Sequence, residues 1–135
     1  MKRFVAILLA VMLVVGLTAC AAQEAASTWE DQYELGIRYL SEGNYEKAII
    51  AFTAAIEIDP MQVEAYVARG DAYFQSGQPE KAESDYRKAL ELDDDEDDPA
   101  SKLVDALIQQ GKLEEAAEIL EDLIEKNPSN PDYYD

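Results

Sequence analysis

Residues 29–60, WEDQYELGIRYLSEGNYEKAIIAFTAAIEIDP, carry a spacing of glycine, alanine and aromatic residues that recurs twice further along the chain. The recurrence interval is 34 residues. The equivalent positions are Gly43, Gly77 and Gly111; Ala48, Ala82 and Ala116; Tyr39, Tyr73 and Leu107; and Phe52, Tyr86 and Leu120. Self-similarity at a fixed period of this length is typical of stacked structural units. Aligned without insertion or deletion, the repeats span 29–62, 63–96 and 97–130.

Each repeat contains two segments of helical periodicity separated by a glycine, which suits the left-handed residue after a helix. The pattern predicts helices at about 30–42, 45–58, 63–76, 79–92, 99–110 and 113–126. Gly36 and Gly70 lie inside helices, where glycine costs about 1 kcal/mol relative to alanine. That cost is tolerable where a neighbouring helix approaches closely. Because one hairpin cannot bury its apolar face alone, we expect an all-α fold of three hairpins in a short right-handed superhelix.

The repeat resembles the tetratricopeptide repeat (TPR). The first repeat matches its signature at Leu35, Gly36, Tyr39, Ala48, Phe52, Ala55 and Pro60, and the second at Tyr66, Gly70, Tyr73, Ala82, Tyr86 and Ala89. In the third repeat Val104 replaces the glycine, Leu107 the tyrosine and Leu123 an alanine. The resemblance covers 29–130 and implies a protein-interaction module.

The resemblance also implies a concave ligand-binding face lined by the first helix of each hairpin. The residues expected on this face are Tyr33, Ile37, Val67, Asp71, Phe74, Ser101, Asp105 and Ile108. The alternative for each residue is that it simply packs between neighbouring helices.

One TPR subfamily binds the C-terminal carboxylates of chaperones through Lys, Asn and Arg residues at five fixed positions. This chain has Tyr33, Ile37, Ala68, Asp98 and Lys102 at those positions. Only Lys102 is basic, so we expect no carboxylate clamp. An apolar or basic peptide is the expected ligand.

The first 19 residues have the pattern of an export signal. Basic Lys2 and Arg3 precede an apolar run over residues 4–15, which is shorter than the roughly 20 residues that span a bilayer. Residues 17–20, LTAC, resemble the lipobox of bacterial lipoproteins and end in the only cysteine. The resemblance implies that Cys20 is acylated and becomes the mature N-terminus, with 20–28 as a short tether. The protein would then be extracytoplasmic and lipid-anchored to a bacterial cell membrane or outer membrane. The alternative is an ordinary signal peptide with a chance cysteine.

Charge and composition disfavour several functional classes. The chain has 29 acidic and 11 basic residues, a formal net charge of −18, which argues against nucleic acid as a partner. It has no histidine, the commonest general base and zinc ligand. We therefore predict no catalytic residues, no cofactor and no metal site, and a protein that is not an enzyme.

Two further stretches lie at the ends of the third repeat. The acidic run 93–98 fits no EF-hand register, which favours a turn in which Asp98 caps the next helix and Pro99 occupies its first turn. Weak, nonspecific divalent binding is the alternative. Residues 131–135, PDYYD, resemble the opening of a fourth repeat, with Tyr134 in the leading aromatic position. The preceding helix would expose an apolar face containing Ala117, Leu120 and Ile124, so we expect the two tyrosines, a partner or a second copy to cover it.

Together these features predict a membrane-anchored lipoprotein whose TPR domain binds a peptide or protein segment. One alternative is a cell-envelope assembly factor, similar to the TPR lipoproteins that help pilus secretins or outer-membrane proteins assemble. Another is a structural unit that self-assembles through its last repeat.

Overall fold

The computed structural model describes residues 26–93 and 97–133, and this part of the chain folds into six α-helices and one short 3₁₀ turn. The helices are α1 (Trp29–Ser41), α2 (Tyr45–Ile58), α3 (Val63–Gln75), α4 (Pro79–Leu92), α5 (Asp97–Gln109) and α6 (Leu113–Lys126), and the 3₁₀ turn is Pro131–Tyr133. The all-α fold of stacked hairpins is therefore confirmed. Residues 1–19, which are predicted to be an export signal, Cys20 and Tyr134 lie outside the described residues.

Five helices begin and end within one residue of their predicted bounds, whereas α5 begins two residues earlier than predicted, at Asp97. The prediction that Asp98 caps this helix is wrong, because Asp98 lies inside its first turn. Pro99 is in the first turn as expected. A proline there does not mark the first residue of a helix, because the first four N–H groups of any helix have no intrahelical partner.

The stacking follows the order of the chain, with every helix packed against its sequence neighbours. Helix α1 also touches α3, so the first helices of the first two hairpins lie side by side. No helix in 26–93 or 97–133 is both long and apolar enough to cross a membrane.

The three hairpin turns have the same backbone geometry. Gly43, Gly77 and Gly111 have φ angles of 72°, 78° and 76°, which residues with a Cβ rarely adopt. The residue after each glycine donates its N–H to a carbonyl five residues back, as Asn44 does to Tyr39 at 2.8 Å. This is the Schellman motif, and it fixes where each first helix ends.

The core depends on pairing small residues in the first helix of a hairpin with large ones in the second. A Cβ on Gly70 would lie 2.6 Å from Cε1 of Tyr86, and a Cβ on Gly36 would collide with the ring of Phe52. Both rings are almost fully buried. In the third repeat the equivalent positions are buried Val104 and Leu120. The first residue is larger than the glycine of the other repeats, and the second is smaller than their aromatic residue.

Candidate functional site

A cavity of about 300 Å³ crosses the first helices of all three hairpins, and we call it the groove. Helix α1 contributes one wall, α3 the centre and the start of α5 the other wall. Its lining residues are Tyr33, Ile37, Leu40, Val63, Glu64, Val67, Ala68, Asp71, Asp98 and Lys102. Four residues predicted for the concave face, Tyr33, Ile37, Val67 and Asp71, are thus brought together.

The α1 wall of the groove is apolar and firmly supported. The Tyr33 ring lies 5.8 Å from the ring of Trp29 and 5.8 Å from that of Phe52, in tilted contacts. Burial, followed by the nearby carboxylates of Glu64 and Asp71, raises the pKa of the Tyr33 hydroxyl. Tyr33 therefore presents a protonated hydroxyl at neutral pH, on a ring that is half-buried against the core shared by the first and second repeats.

The floor of the groove is a charged network that joins the second and third repeats. The Lys102 ammonium donates to Oδ2 of Asp71 at 2.7 Å and lies 3.3 Å from Oδ2 of Asp98. The hydroxyl of Tyr86, from α4, donates to Oδ1 of Asp71 at 2.7 Å. Both oxygens of Asp71 are therefore engaged by groups of its own chain.

The protonation states in this network are well defined. Burial lowers the pKa of Lys102, but the hydrogen bond that Lys102 donates to Asp71 and the charges of Asp71 and Asp98 outweigh burial, so that the pKa is raised overall. Burial and the hydrogen bond to Asp71 raise the pKa of Tyr86. Lys102 is thus charged and Tyr86 is neutral throughout the physiological range of pH.

The charged groups that line the groove sum to a negative value. Glu64, Asp71 and Asp98 contribute −3 and Lys102 contributes +1, giving −2. Lys102 is the one basic residue among the described lining residues, and it is already ion-paired with Asp71 and Asp98. The groove therefore offers an apolar wall next to a net acidic floor.

A neighbouring cavity of about 290 Å³, the C-terminal pocket, receives two more of the predicted residues, Ser101 and Asp105. It lies between α5, α6 and the segment that follows α6. Its lining residues are Asp98, Ser101, Val104, Asp105, Leu120, Leu123, Asn130 and Asp132. Burial raises the pKa of Asp105. Because Asp98 borders both cavities, they form adjoining parts of one face.

Two predicted residues, Phe74 and Ile108, line neither cavity. Phe74 is half-buried and packs against the core shared by the second and third repeats. Ile108 lies 51% exposed near the end of α5. The interpretation as inter-helix packing therefore describes Phe74, whereas Ile108 is a surface residue beyond both cavities.

The residues predicted for the concave face did not include the two acidic residues at the rim of the groove, although Asp98 lies at one of the clamp positions. Glu64 and Asp98 are 34 residues apart and occupy equivalent positions in their repeats. Each lies three residues before a residue that was predicted for the face, Val67 and Ser101. Since residues three apart share a helix face, this spacing was the available signal.

A third cavity, the turn-edge cavity, opens beside the hairpin turns and is larger, at about 460 Å³. It is lined by Tyr45, Glu46, Ile49, Ile50, Tyr73, Ser76, Gln78 and Lys81. The Lys81 ammonium lies 5.4 Å from the centre of the Tyr73 ring, and Ile50 is 65% exposed. First helices from all three repeats converge on the groove, whereas the first two repeats alone build the turn-edge cavity, so we take the groove as the candidate site.

Family comparisons agree with the fold and the repeat register. Residues 36–77 match a TPR repeat family and residues 77–135 match a second tetratricopeptide repeat family. The chain contains tetratricopeptide repeats. A comparison of the chain with curated protein sequences returns no match.

Several solved TPR domains are similar to this one. The first TPR domain of Spaghetti (RPAP3), bound to the HSP90 peptide SRMEEVD, is 29% identical, with a TM-score of 0.74 over 79% of this chain and 85% of that one. The second TPR domain of human RPAP3, in complex with the HSP70 peptide SGPTIEEVD, is 27% identical, with a TM-score of 0.71 over 78% and 92%. The Sgt2 TPR domain from Aspergillus fumigatus is 28% identical, with a TM-score of 0.71 over 78% and 72%. Such domains are protein-interaction modules, and this chain has their architecture.

Proposed function

We propose that this chain is a membrane-anchored bacterial lipoprotein whose TPR domain holds an apolar segment with basic residues in the groove. The observation that carries the proposal is the apolar surface formed by Tyr33, Ile37 and Val67 in a groove whose charged lining residues sum to −2. Moving apolar side chains of the ligand from water to this surface has a favourable free energy. Basic side chains are attracted by the acidic floor, which also discriminates against acidic competitors.

The charge of the groove separates this ligand from those of similar TPR domains. The peptides named with the RPAP3 domains, SRMEEVD and SGPTIEEVD, both end in EEVD, which carries three side-chain carboxylates. Here a peptide with that ending would face Glu64, Asp71 and Asp98, with no uncommitted cation among the described lining residues. We therefore propose a basic ligand in place of an acidic one.

Calorimetric titration of the purified protein with three matched peptides tests the ligand class. Each peptide is nine residues long, acetylated and amidated, with three leucines, four serines and two variable residues that are arginine, glutamine or glutamate. We expect affinity to fall in the order arginine, glutamine, glutamate. Equal affinity for all three peptides, or tighter binding of the glutamate peptide, contradicts the assignment.

Matched variants then locate the binding face. Val67→Ser removes apolar surface from the groove, and Ile50→Ser makes a similar change at the exposed turn-edge cavity. We expect the groove variant to weaken binding of the arginine peptide several-fold and the turn-edge variant to leave it unchanged. The reverse result moves the site to the turn edge.

The anchoring part of the proposal rests on Cys20 and the short distance between it and the folded repeats. Helix α1 begins at Trp29, so eight residues, 21–28, separate the proposed lipid from the fold. At most about 3.5 Å per residue, they reach about 30 Å. A ligand in the groove would then be held close to the membrane, which suits a partner belonging to the cell envelope. Two or three acyl chains would make the attachment stable, since one chain alone is marginal.

Mass spectrometry and cell fractionation test the anchor. We expect the mature protein to lack residues 1–19, to carry acyl groups on Cys20 and to sediment with membranes. Cys20→Ala should abolish both the acyl mass and the membrane association. A soluble wild-type protein with an unmodified Cys20 contradicts this part alone and leaves the peptide-binding proposal intact.

Self-association through α6 is the second candidate function, favoured by the exposure of Leu113 (58%) and Ala117 on that helix. Charge opposes it, because the full sequence carries a net charge of −18 and two copies would repel each other. Sedimentation equilibrium at moderate salt decides between the two. A mass that rises with concentration, and rises further when 131–135 are deleted, supports self-association, whereas a monomeric mass throughout excludes it.

A further inference from the structure

Lys102 occupies the part of the groove that a basic ligand side chain would need. Its ammonium is the partner of Asp71 Oδ2 and lies close to Asp98, the two carboxylates nearest the α5 wall. We propose that the carboxylates of Asp71 and Asp98 form a cation subsite, that the Lys102 ammonium already occupies it, and that Lys102 lowers the affinity for basic ligands by competing with them. This inference rests on the proposed function and deepens it by naming the residue that sets the strength of binding.

The geometry of Asp71 explains why Lys102 competes directly with a ligand. Asp71 Oδ1 accepts the Tyr86 hydroxyl at 2.7 Å, and this bond comes from a fully buried ring that cannot leave. Asp71 Oδ2 is held by Lys102 at 2.7 Å. A ligand cation can therefore bind Oδ2 of Asp71 by taking the place of the Lys102 ammonium.

Lys102 can leave this site at moderate cost. Its side chain is 29% exposed, and Asp98, its second partner, is 64% exposed and farther away, at 3.3 Å. The lysine head is a single charge on a flexible four-carbon stem, so it can swing towards water without moving α5. A ligand arginine brings a planar fork that can contact two carboxylate oxygens at once. The exchange replaces the contacts of the Lys102 ammonium to Asp71 and Asp98 with those of a guanidinium, which has more N–H donors.

The other charged side chains at the groove reinforce the preference for a basic ligand. Glu64, on α3, adds a further negative charge at the rim of the groove, and removing the charge of Lys102 would change the lining sum from −2 to −3. Lys102→Gln keeps a side chain that can still donate a hydrogen bond to Asp71, so the network with Tyr86 need not collapse. From the energy of one partly screened charge pair, we expect this variant to bind the arginine peptide about threefold to tenfold more tightly.

Two control variants distinguish the removal of Lys102 from the subsite from a general change in net charge and from a loss of folding. Lys88→Gln makes the same charge change at a lysine paired with Glu91 on α4, outside the groove. Lys102→Arg keeps the charge in place and should give no gain in affinity. Melting curves of all three variants confirm that each is folded before titration.

The deciding experiment is calorimetric titration of the wild type, Lys102→Gln, Lys102→Arg and Lys88→Gln with the arginine peptide at low and high salt. We expect a gain for Lys102→Gln only, shrinking at 1 M salt, where the screening length falls to about 3 Å. Unchanged or weaker binding by a folded Lys102→Gln protein, or an equal gain for Lys88→Gln, overturns the role of Lys102 while peptide binding stands. Failure of the arginine peptide to bind any of the four proteins overturns the proposed function itself.

Discussion

Replacing Gly70 with alanine tests whether the close approach of α3 and α4 sets the geometry beneath the groove. The added Cβ would lie 2.6 Å from Cε1 and 2.9 Å from Cδ1 of Tyr86. Tyr86 is 1% exposed, and its hydroxyl is bound to Asp71 at 2.7 Å. The ring can therefore make room only by disturbing the packed core or by breaking this hydrogen bond.

The expected loss of stability follows from three opposing effects. Overpacking a well-packed core costs about 1–3 kcal/mol, and a weakened hydrogen bond to Asp71 adds about 1 kcal/mol. Alanine recovers about 1 kcal/mol through its higher helix propensity. We expect Gly70→Ala to lower the free energy of unfolding by about 1–3 kcal/mol, which for a domain of this size lowers the melting temperature by roughly 4–8 °C per kcal/mol.

Urea unfolding monitored by circular dichroism measures this change. Tyr86→Leu provides a double-mutant cycle, because a shorter side chain leaves room for the Cβ. The effect of Gly70→Ala should then become small or favourable in the Tyr86→Leu background. A Gly70→Ala protein that is more stable than the wild type by about 1 kcal/mol, the gain from helix propensity alone, would refute the close approach.

Three further changes have defined outcomes. Asp85→Asn breaks the bidentate pair of buried Asp85 with Arg69, at 2.7 and 2.8 Å. It should cost about 3 kcal/mol in urea unfolding, because it leaves a half-buried guanidinium poorly paired. A loss no larger than that of an exposed ion pair would contradict this. Glu83→Gln should be less stable than the wild type at pH 7. Burial on its own would raise the pKa of Glu83, but the hydrogen bonds donated by Lys112, Gln110 and Arg87 outweigh burial and lower the pKa to about 2. A lowered carboxyl pKa adds stability above the unfolded-state value of about 4.3, so the gap between the two proteins should close as pH falls from about 5 to 2; a gap that persists at pH 2 rules out this assignment. Tyr86→Phe should leave the ring packing intact and free one oxygen of Asp71. We therefore expect a small loss of stability together with tighter binding of the arginine peptide. Weaker binding would show that the Tyr86 hydroxyl must hold Asp71 in place for Asp71 to bind the peptide.

The hairpin turns and helix bounds could be predicted because local residues determine them. A glycine at positive φ ends each first helix, and the 34-residue period gives the same result three times. The start of α5 was misplaced because the residues around it are uniformly acidic, and acidic side chains suit several positions at a helix N-terminus equally well. Pro99 is compatible with more than one of those starts.

The site was predictable only in part, because periodicity assigns a residue to a helix face but not to a partner. Tyr33, Val67 and Asp71 fall on the groove as their spacing requires. Phe74 occupies an equivalent face position, yet packs into the core between the second and third repeats. The ion pair of Lys102 with Asp71 joins residues 31 apart on different helices, so side-chain reach decides it and no local pattern reveals it.

Nuclear magnetic resonance titration of the ¹⁵N-labelled protein with the arginine and glutamate peptides tests peptide binding in the groove most directly. With the arginine peptide, we expect the largest amide shifts at Tyr33, Val67 and Lys102, and little change at Ile50 or Lys81 beside the turn-edge cavity. The glutamate peptide should shift none of these amides at the same concentration. Shifts that concentrate at the turn edge, or a stronger response to the glutamate peptide, would contradict a basic-ligand groove on the first helices.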